Sequence, residues 1–273
     1  MPSIIEFDRV TVRFGGGPQH KGEALREVSF RLEERETKIL LGASGSGKSV
    51  LLKTALGLVQ PDSGRVLLFG QDLSGLAEEA LFPLRRRAGM DFQESALFDS
   101  LTVAENVGYY FEQEEQSPVP EEEVEERVRQ ALRFVELEET LEKFPSELSG
   151  GMRRRVAIAR ALIGAPPLML YDSPTAGLDP VTAFNIMVLI LKLRDTQRVS
   201  ALLVTHRLQD AHLLAESYFD PQAGELARLG GNGSAKVDTH TSFLVLREGE
   251  LVFQGSESEL FAARDPYVRK FIS

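Results

Sequence analysis

A glycine-rich loop between a strand pattern and a helix pattern constrains this chain more than any other feature. Residues 42–49 read Gly-Ala-Ser-Gly-Ser-Gly-Lys-Ser and satisfy GxxxxGK[ST]. They follow residues 38–41, whose apolar pattern predicts a buried strand, and a helical pattern then continues to Leu58. Glycines let backbone amides wrap around phosphate oxygens, and a helix N-terminus adds a positive dipole. The stretch therefore favours a nucleotide phosphate site over a glycine turn that merely caps a helix.

The residues of this phosphate loop have separate predicted roles. Lys48 is expected to reach the β and γ phosphates, and the Ser49 hydroxyl is expected to ligate Mg²⁺. A second apolar strand pattern ends in Asp172, where an acidic side chain can share that Mg²⁺. Because any buried strand can end in Asp, this residue does not establish the site alone. The predicted nucleotide contacts around the loop are Gly42, Ser44, Gly45, Gly47, Lys48, Ser49 and Val50.

The alternation of patterns along the chain predicts an α/β fold. Apolar runs of strand length alternate with helical patterns, which indicates a mainly parallel sheet covered by helices. Residues 4–14 and 28–32 instead alternate polar and apolar side chains, as half-exposed antiparallel strands do. Residues 101–164 are largely helical in pattern, and residues 220–241 predict a surface loop or hairpin insertion. We therefore expect a phosphate-loop NTPase core with an antiparallel β subdomain and a helical insertion, in a chain long enough for one large α/β domain or two small ones.

Composition limits the partners and the setting of the chain. The 31 Lys and Arg residues against 41 Asp and Glu give a net charge of −10, which disfavours general binding to nucleic acid or anionic lipid. There is no cysteine, so disulfides and Cys-ligated zinc are excluded and a reducing cytoplasm is the expected setting. No run of 18 apolar residues and no secretory signal is evident. We expect a soluble chain that reaches a membrane only through a partner.

A second glycine motif reveals a family resemblance. Residues 148–152, Leu-Ser-Gly-Gly-Met, precede Arg-Arg-Arg-Val-Ala-Ile-Ala-Arg-Ala and resemble the signature of ABC-type ATPases. Physically, Ser149 can cap a helix while Gly150 and Gly151 expose amides at its start, so the motif is either another anion site or a capped structural helix. Two anion sites indicate two ligands or one ligand shared between chains. The resemblance implies the latter, a dimer in which each ATP lies between the phosphate loop of one subunit and the signature of the other, most simply a homodimer.

Further motifs follow in the order of that family. Gln93 resembles the Q-loop glutamine, which also contacts Mg²⁺, residues 176–179 resemble the D-loop, and His206 resembles the switch histidine. Phe14 lies where the family stacks an aromatic ring on adenine, although a Phe at a strand end can also belong to the core. The resemblance implies the ABC ATPase fold in a single domain over residues 1–273, ATP and Mg²⁺ as ligands, hydrolysis coupled to transport, and a transmembrane permease as partner.

One position departs from the family pattern. The family places Glu directly after the strand-ending Asp, whereas this chain has Ser173. A serine can hydrogen-bond water but cannot accept its proton at neutral pH, so we expect slow turnover by the isolated chain. Three alternatives stay open: another group positions the water, the chain is an ATP-gated regulatory or structural subunit, or the serine is an introduced substitution. The predicted catalytic residues are Lys48, Asp172, Ser173, His206 and Gln93.

Three stretches resemble one subfamily more narrowly, the ATPase subunits of Mla-type systems that move phospholipids between the membranes of Gram-negative cells. They are residues 89–103, the signature followed by three arginines, and residues 265–273. This resemblance implies a phospholipid or other hydrophobic cargo, a lipid-binding subunit reached through the permease, and a place on the inner face of the cytoplasmic membrane. Leu97 and Phe98 are the expected permease contacts, although both can instead pack into the core. An ABC ATPase acting on DNA or ribosomes is disfavoured by the net charge, and no nucleic acid partner is expected.

Overall fold

Strands and helices alternate through most of the chain in the computed structural model, which describes residues 3–14, 22–92, 95–112, 119–229 and 240–271. The strands in these ranges are β1 (Ser3–Arg13), β2 (Glu23–Glu33), β3 (Thr37–Leu41), β4 (Ser63–Leu68), β5 (Gln71–Asp72), β6 (Ala88–Asp91), β7 (Leu168–Asp172), β8 (Ser200–Thr205), β9 (Ser217–Asp220), β10 (Glu225–Arg228), β11 (Thr241–Arg247) and β12 (Glu250–Gly255). The helices are α1 (Lys48–Ala55), α2 (Glu78–Arg85), α3 (Val103–Glu112), α4 (Glu121–Phe134), α5 (Gly150–Leu162), α6 (Pro180–Gln197), α7 (Leu208–Glu216), α8 (Glu257–Ala262) and α9 (Pro266–Arg269).

A six-stranded sheet in the order β12-β11-β3-β8-β7-β6 forms the centre of the fold. Its strands pair in parallel from β11 to β6, and β12 adds an antiparallel edge. Strands β3, β7 and β8 are buried along their whole length because both faces are covered. Since parallel strands end at the same edge of a sheet, the segments that follow β3, β7 and β8 meet there. The predicted mainly parallel sheet is confirmed.

An antiparallel sheet in the order β2-β1-β4-β5 packs with α1 against one face of the central sheet. Buried and exposed residues alternate along β2, and Phe7 stacks on Phe30 with ring centroids 4.8 Å apart. The predicted antiparallel subdomain is therefore confirmed. Strand β2 begins at Glu23, earlier than the predicted residue 28. The sequence pattern missed its first residues because irregular pairing with β1 and the positive φ of Glu27 interrupt the alternation of polar and apolar side chains.

Helices cover the opposite face of the central sheet. Within residues 101–164 the helices α3, α4 and α5 pack on one another and share an apolar core with β7 and α6. Three glutamates lie in the first turn of α4, where the helix dipole favours negative charge. No helix in the described ranges combines the length and apolar character needed to cross a bilayer.

The predicted insertion at residues 220–241 begins with a hairpin. Strands β9 and β10 pair antiparallel, and the Leu229 amide donates a hydrogen bond to the Glu216 carbonyl oxygen at 2.8 Å. Residues 230–239 lie outside the described part of the chain. The limits of the insertion, of the helical subdomain and of the single domain stay predictions.

Candidate nucleotide site

The phosphate loop connects β3 to α1 in a conformation that requires glycine. Gly45 and Gly47 have φ values of 78° and 107°, a region that other residues seldom adopt. A Cβ atom on Gly47 would lie only 2.2 Å from the Ala24 carbonyl oxygen, so β2 can pass beside the loop because this residue has no side chain. Ser44, Gly45 and Ser49 are exposed. The loop therefore has the form of a cradle for phosphate groups, with accessible backbone on its outer side.

Lys48 lies at the base of this loop and is buried. Its Nζ donates hydrogen bonds to the carbonyl oxygens of Gly42 at 2.8 Å and Ala43 at 2.7 Å. Burial lowers the pKa of the Lys48 amine, and the Asp172 carboxylate opposes this shift. The structure thus brings together the lysine and the aspartate that the sequence had placed on separate motifs.

Asp172 ends β7 and is followed by a strained turn. Ser173 has φ 53°, its amide donates to the Val204 carbonyl oxygen at 2.9 Å, and its Oγ lies 3.4 Å from Asp172 Oδ1. Both residues are buried. The Asp172 carboxylate and the Ser49 hydroxyl are hard oxygen donors of the type that Mg²⁺ prefers, so the donor chemistry fits the expected ion. No carboxylate occupies position 173.

His206 follows β8 and is exposed at the same edge of the sheet. The turn that carries it is held by Asp210, a buried residue whose carboxylate accepts hydrogen bonds from the hydroxyls of Thr175 and, at 3.1 Å, Thr205. Asp210 therefore ties the turn after Ser173 to the end of β8. Sequence reasoning missed it, because an acidic residue in the first turn of a helix carries no distinctive signal.

Three further residues, Phe14, Val50 and Gln93, were predicted to contact the nucleotide or Mg²⁺. Phe14 directly follows β1, its side chain is 53% exposed, and its amide pairs with the Gly22 carbonyl oxygen at 2.7 Å. It is not a core residue, so the alternative of simple packing is wrong, while adenine stacking stays a prediction. Val50 is half-buried in α1 and packs on the cluster beneath the antiparallel sheet. Gln93 lies outside the described residues, and its roles stay predictions.

The signature motif forms the start of α5. The Ser149 Oγ accepts a hydrogen bond from the Met152 amide at 3.2 Å, as expected of an N-cap. A Cβ atom on Gly151 would lie 2.4 Å from Thr182 Cγ2, so the close packing of α5 on α6 requires glycine there. Ser149 and Gly150 are exposed. The start of α5 is therefore accessible at Ser149 and Gly150.

A buried ion pair that sequence reasoning missed joins this helix to β6. Asp91 is 0% exposed, and its Oδ1 lies 3.4 Å from Arg154 Nη1, which also donates to the Phe92 carbonyl oxygen. Burial raises the pKa of Asp91 to about 7, and the Arg154 guanidinium opposes this shift. The backbone just before Gln93 is therefore anchored to the signature helix.

Comparisons with known proteins agree with this geometry. A protein-family profile described as ABC transporter matches residues 25–176. The methionine import ATP-binding protein MetN of Myxococcus xanthus is 40% identical over 227 residues, covering 83% of this chain and 68% of the relative. MetN of Bifidobacterium longum is 32% identical over 99% of this chain and 61% of the relative. The chloroplastic protein TRIGALACTOSYLDIACYLGLYCEROL 3 of Arabidopsis thaliana is 36% identical over 98% of this chain and 73% of the relative. The chain thus spans about two thirds of these relatives.

Solved structures of ATP-binding cassettes share the fold. A dimeric post-hydrolysis state of the cassette MJ0796 bound to ADP and Pi has a TM-score of 0.75 at 30% identity and covers 92% of this chain and 98% of that one. The cbiO1 protein of Clostridium perfringens, part of the ABC transporter complex cbiONQ, has a TM-score of 0.76 at 26% identity and covers 98% of this chain and 94% of that one. The expected fold class is confirmed.

Proposed function

Since this chain belongs to the ABC transporter family and has its ATPase fold, we propose that it is the ATP-binding subunit that drives a transmembrane permease. The observation that carries the proposal is the phosphate loop, whose glycine cradle, buried Lys48 and neighbouring Asp172 meet at the carboxyl edge of the parallel sheet. This arrangement supplies positive charge and backbone amides for the phosphates of ATP.

In the proposed mechanism each residue has one task. Lys48 and the loop amides bind the β and γ phosphates, while Ser49, Asp172 and Gln93 would hold Mg²⁺. When bound, the ion would supply positive charge that offsets the negative charge of the phosphates. His206 orients the γ-phosphate and attacking water, and Ser173 can only hydrogen-bond that water. Phe14 stacks on the adenine, and Ser149, Gly150 and Gly151 contact ATP held by a second copy of the chain.

Replacement of Lys48 tests nucleotide binding directly. Lys48→Ala should abolish tight MgATP binding because the phosphates lose a charge-assisted partner. Equilibrium titration with a fluorescent ATP analogue measures this loss. Lys53→Ala is the matched control, since Lys53 is an exposed lysine of the same helix. Unchanged affinity in Lys48→Ala would remove the nucleotide-site assignment.

A surface near the Q-loop supports the permease as partner. Phe98 is exposed and its ring centroid lies 4.7 Å from that of Tyr109, while the Arg86 guanidinium lies 4.2 Å from the ring centroid of Tyr110. Aromatic and arginine side chains are enriched in protein interfaces. Leu97, the other expected contact, is half-buried against the core, so Phe98 is the better candidate. Docking there would hold the chain on the inner face of the cytoplasmic membrane.

For the cargo we propose a phospholipid or other hydrophobic compound, with a lipid-binding subunit reached through the permease. One support is the resemblance of residues 89–103, 148–155 and 265–273 to Mla-type ATPases. The other is the alignment of nearly the whole chain with the Arabidopsis protein, which is named after a galactolipid. Methionine is the second candidate, because several relatives are methionine import proteins, and these relatives do not support a lipid. The native complex, purified through this chain and reconstituted, distinguishes the two by ATP-dependent movement of labelled phospholipid or labelled methionine.

A further inference from the structure

The hydroxyl of Tyr267 contacts the phosphate loop from a segment more than two hundred residues further along the chain. Tyr267 lies in α9, and its Oη accepts a hydrogen bond from the Ala43 amide at 3.1 Å. The same hydroxyl donates to the Leu246 carbonyl oxygen, also at 3.1 Å. One side-chain oxygen therefore joins the start of the phosphate loop to the end of β11.

Other elements support the loop on the same side through their backbone. The Gly249 amide donates to the Ser46 carbonyl oxygen at 3.0 Å. A Cβ atom on Gly42 would lie 2.6 Å from the Leu246 carbonyl oxygen, the same atom that accepts the Tyr267 hydroxyl. These are backbone contacts, whereas Tyr267 contributes a single side-chain atom. A substitution can remove that atom without changing the backbone around it.

The position of the Tyr267 side chain is fixed by its neighbours. Asp265 Oδ1 accepts hydrogen bonds from the amides of Tyr267 at 2.7 Å and Val268 at 3.2 Å, and Val268 is buried. The hydrogen bonds from the Val268 and Tyr267 amides lower the pKa of Asp265. The Arg247 guanidinium lies 5.6 Å from the ring centroid, and the Phe271 ring meets it edge-on at 5.3 Å. These contacts hold the ring where its hydroxyl oxygen meets the Ala43 amide.

We propose that Tyr267 is a positioning residue of the nucleotide site, an inference that rests on the proposed binding of ATP. A phosphate loop binds well when its amides are already arranged before the ligand arrives, because less ordering is then required. The hydrogen bond that the amide of Ala43, the second residue of the loop, donates to Tyr267 Oη restricts the conformations of the loop start. Loss of one neutral hydrogen bond should weaken MgATP binding roughly threefold to tenfold.

The substitution Tyr267→Phe removes only the hydroxyl and keeps the ring packing. In the full chain, titration with a fluorescent ATP analogue and Mg²⁺ should give the weaker affinity, with little change in Tm. Hydrogen exchange resolved at the Ala43 amide should be faster in the variant. Tyr218→Phe, which removes a tyrosine hydroxyl on β9, should change none of these quantities.

The outcomes separate the positioning role from the proposed function. If Tyr267→Phe binds ATP normally while Lys48→Ala loses binding, the positioning role is overturned and the nucleotide site remains. If Lys48→Ala also binds normally, ATP binding at this loop itself fails. A lower Tm with normal affinity of the folded protein would make Tyr267 a purely structural residue. Weaker binding at unchanged Tm, together with faster exchange at Ala43, supports the proposal.

Discussion

Ser173 is the residue that most limits the expected chemistry. It is buried, has a positive φ, and directs its hydroxyl to the carboxylate of Asp172. A positioned base contributes about 10²–10⁴ in rate, and serine cannot act as one at neutral pH. We therefore predict that Ser173→Glu raises the rate of steady-state phosphate release roughly tenfold or more. The predicted rise starts below the usual range because a strained backbone at this φ can misplace the new carboxylate. Binding of MgATP should change little, since Lys48, Ser49 and Asp172 remain.

A variant of equal size provides the control for that experiment. Ser173→Gln introduces the same steric bulk as Ser173→Glu but no proton acceptor, so it should not accelerate hydrolysis. Fast turnover by the unsubstituted chain would show that another group replaces the carboxylate. Equal turnover in all three proteins at low rate would instead favour an ATP-gated regulatory subunit.

At the scale of elements, the pair of Asp91 and Arg154 joins β6 to the signature helix α5. Asp91 Oδ2 has no hydrogen-bond partner among the described residues, so this carboxylate depends strongly on Arg154. Removal of one member of a buried pair leaves the other charge unpaired and costs about 3–5 kcal/mol, whereas replacement of both by apolar residues is often neutral. We predict that Arg154→Met lowers the free energy of unfolding by up to about that amount above pH 7, where Asp91 is ionised, and by less below it, and that Asp91→Leu combined with Arg154→Met restores most of the loss.

Urea unfolding, followed by circular dichroism, measures the free energy of unfolding of four proteins. They are the unsubstituted chain, Asp91→Leu, Arg154→Met and the double variant. A double variant as unstable as Arg154→Met would contradict the electrostatic explanation. The loss would then come from the bond between Arg154 and the Phe92 carbonyl oxygen, which both variants lack.

The features that could be predicted from sequence are those encoded over short stretches. The phosphate loop, the Ser149 cap and the strand ending at Asp172 each combine residues within one strand–loop or loop–helix unit, where spacing determines geometry. The contacts of Asp91 with Arg154 and of Tyr267 with Ala43 join residues 63 and 224 positions apart. No local pattern reports such contacts, since they depend on how the elements pack.

For the whole molecule, the decisive feature is the presence of two glycine motifs on one chain, each at the start of a helix and each a candidate anion site. Ser149 and Gly150 are exposed at the start of α5, beside the residues that lead into α6, and the phosphate loop follows β3. If each ATP is shared between copies, a change at Ser149 should spare ATP binding by the monomer and block ATP-dependent dimerisation. We predict this outcome for Ser149→Arg, measured by size-exclusion chromatography with light scattering in the presence and absence of MgATP.

Ser149 also caps α5, so a loss of its contact with ATP must be distinguished from a loss of the helix cap. Ser149→Arg loses the cap, at a cost of about 1 kcal/mol, whereas Ser149→Asp keeps a good N-cap and places a carboxylate where phosphate is expected. Both variants should therefore fail to dimerise, while only Ser149→Arg loses stability. Ser146→Arg, at an exposed serine nearby, is the matched control and should dimerise normally. Dimerisation by Ser149→Asp would mean that the signature acts only as a capped helix, and that ATP is not shared between two chains.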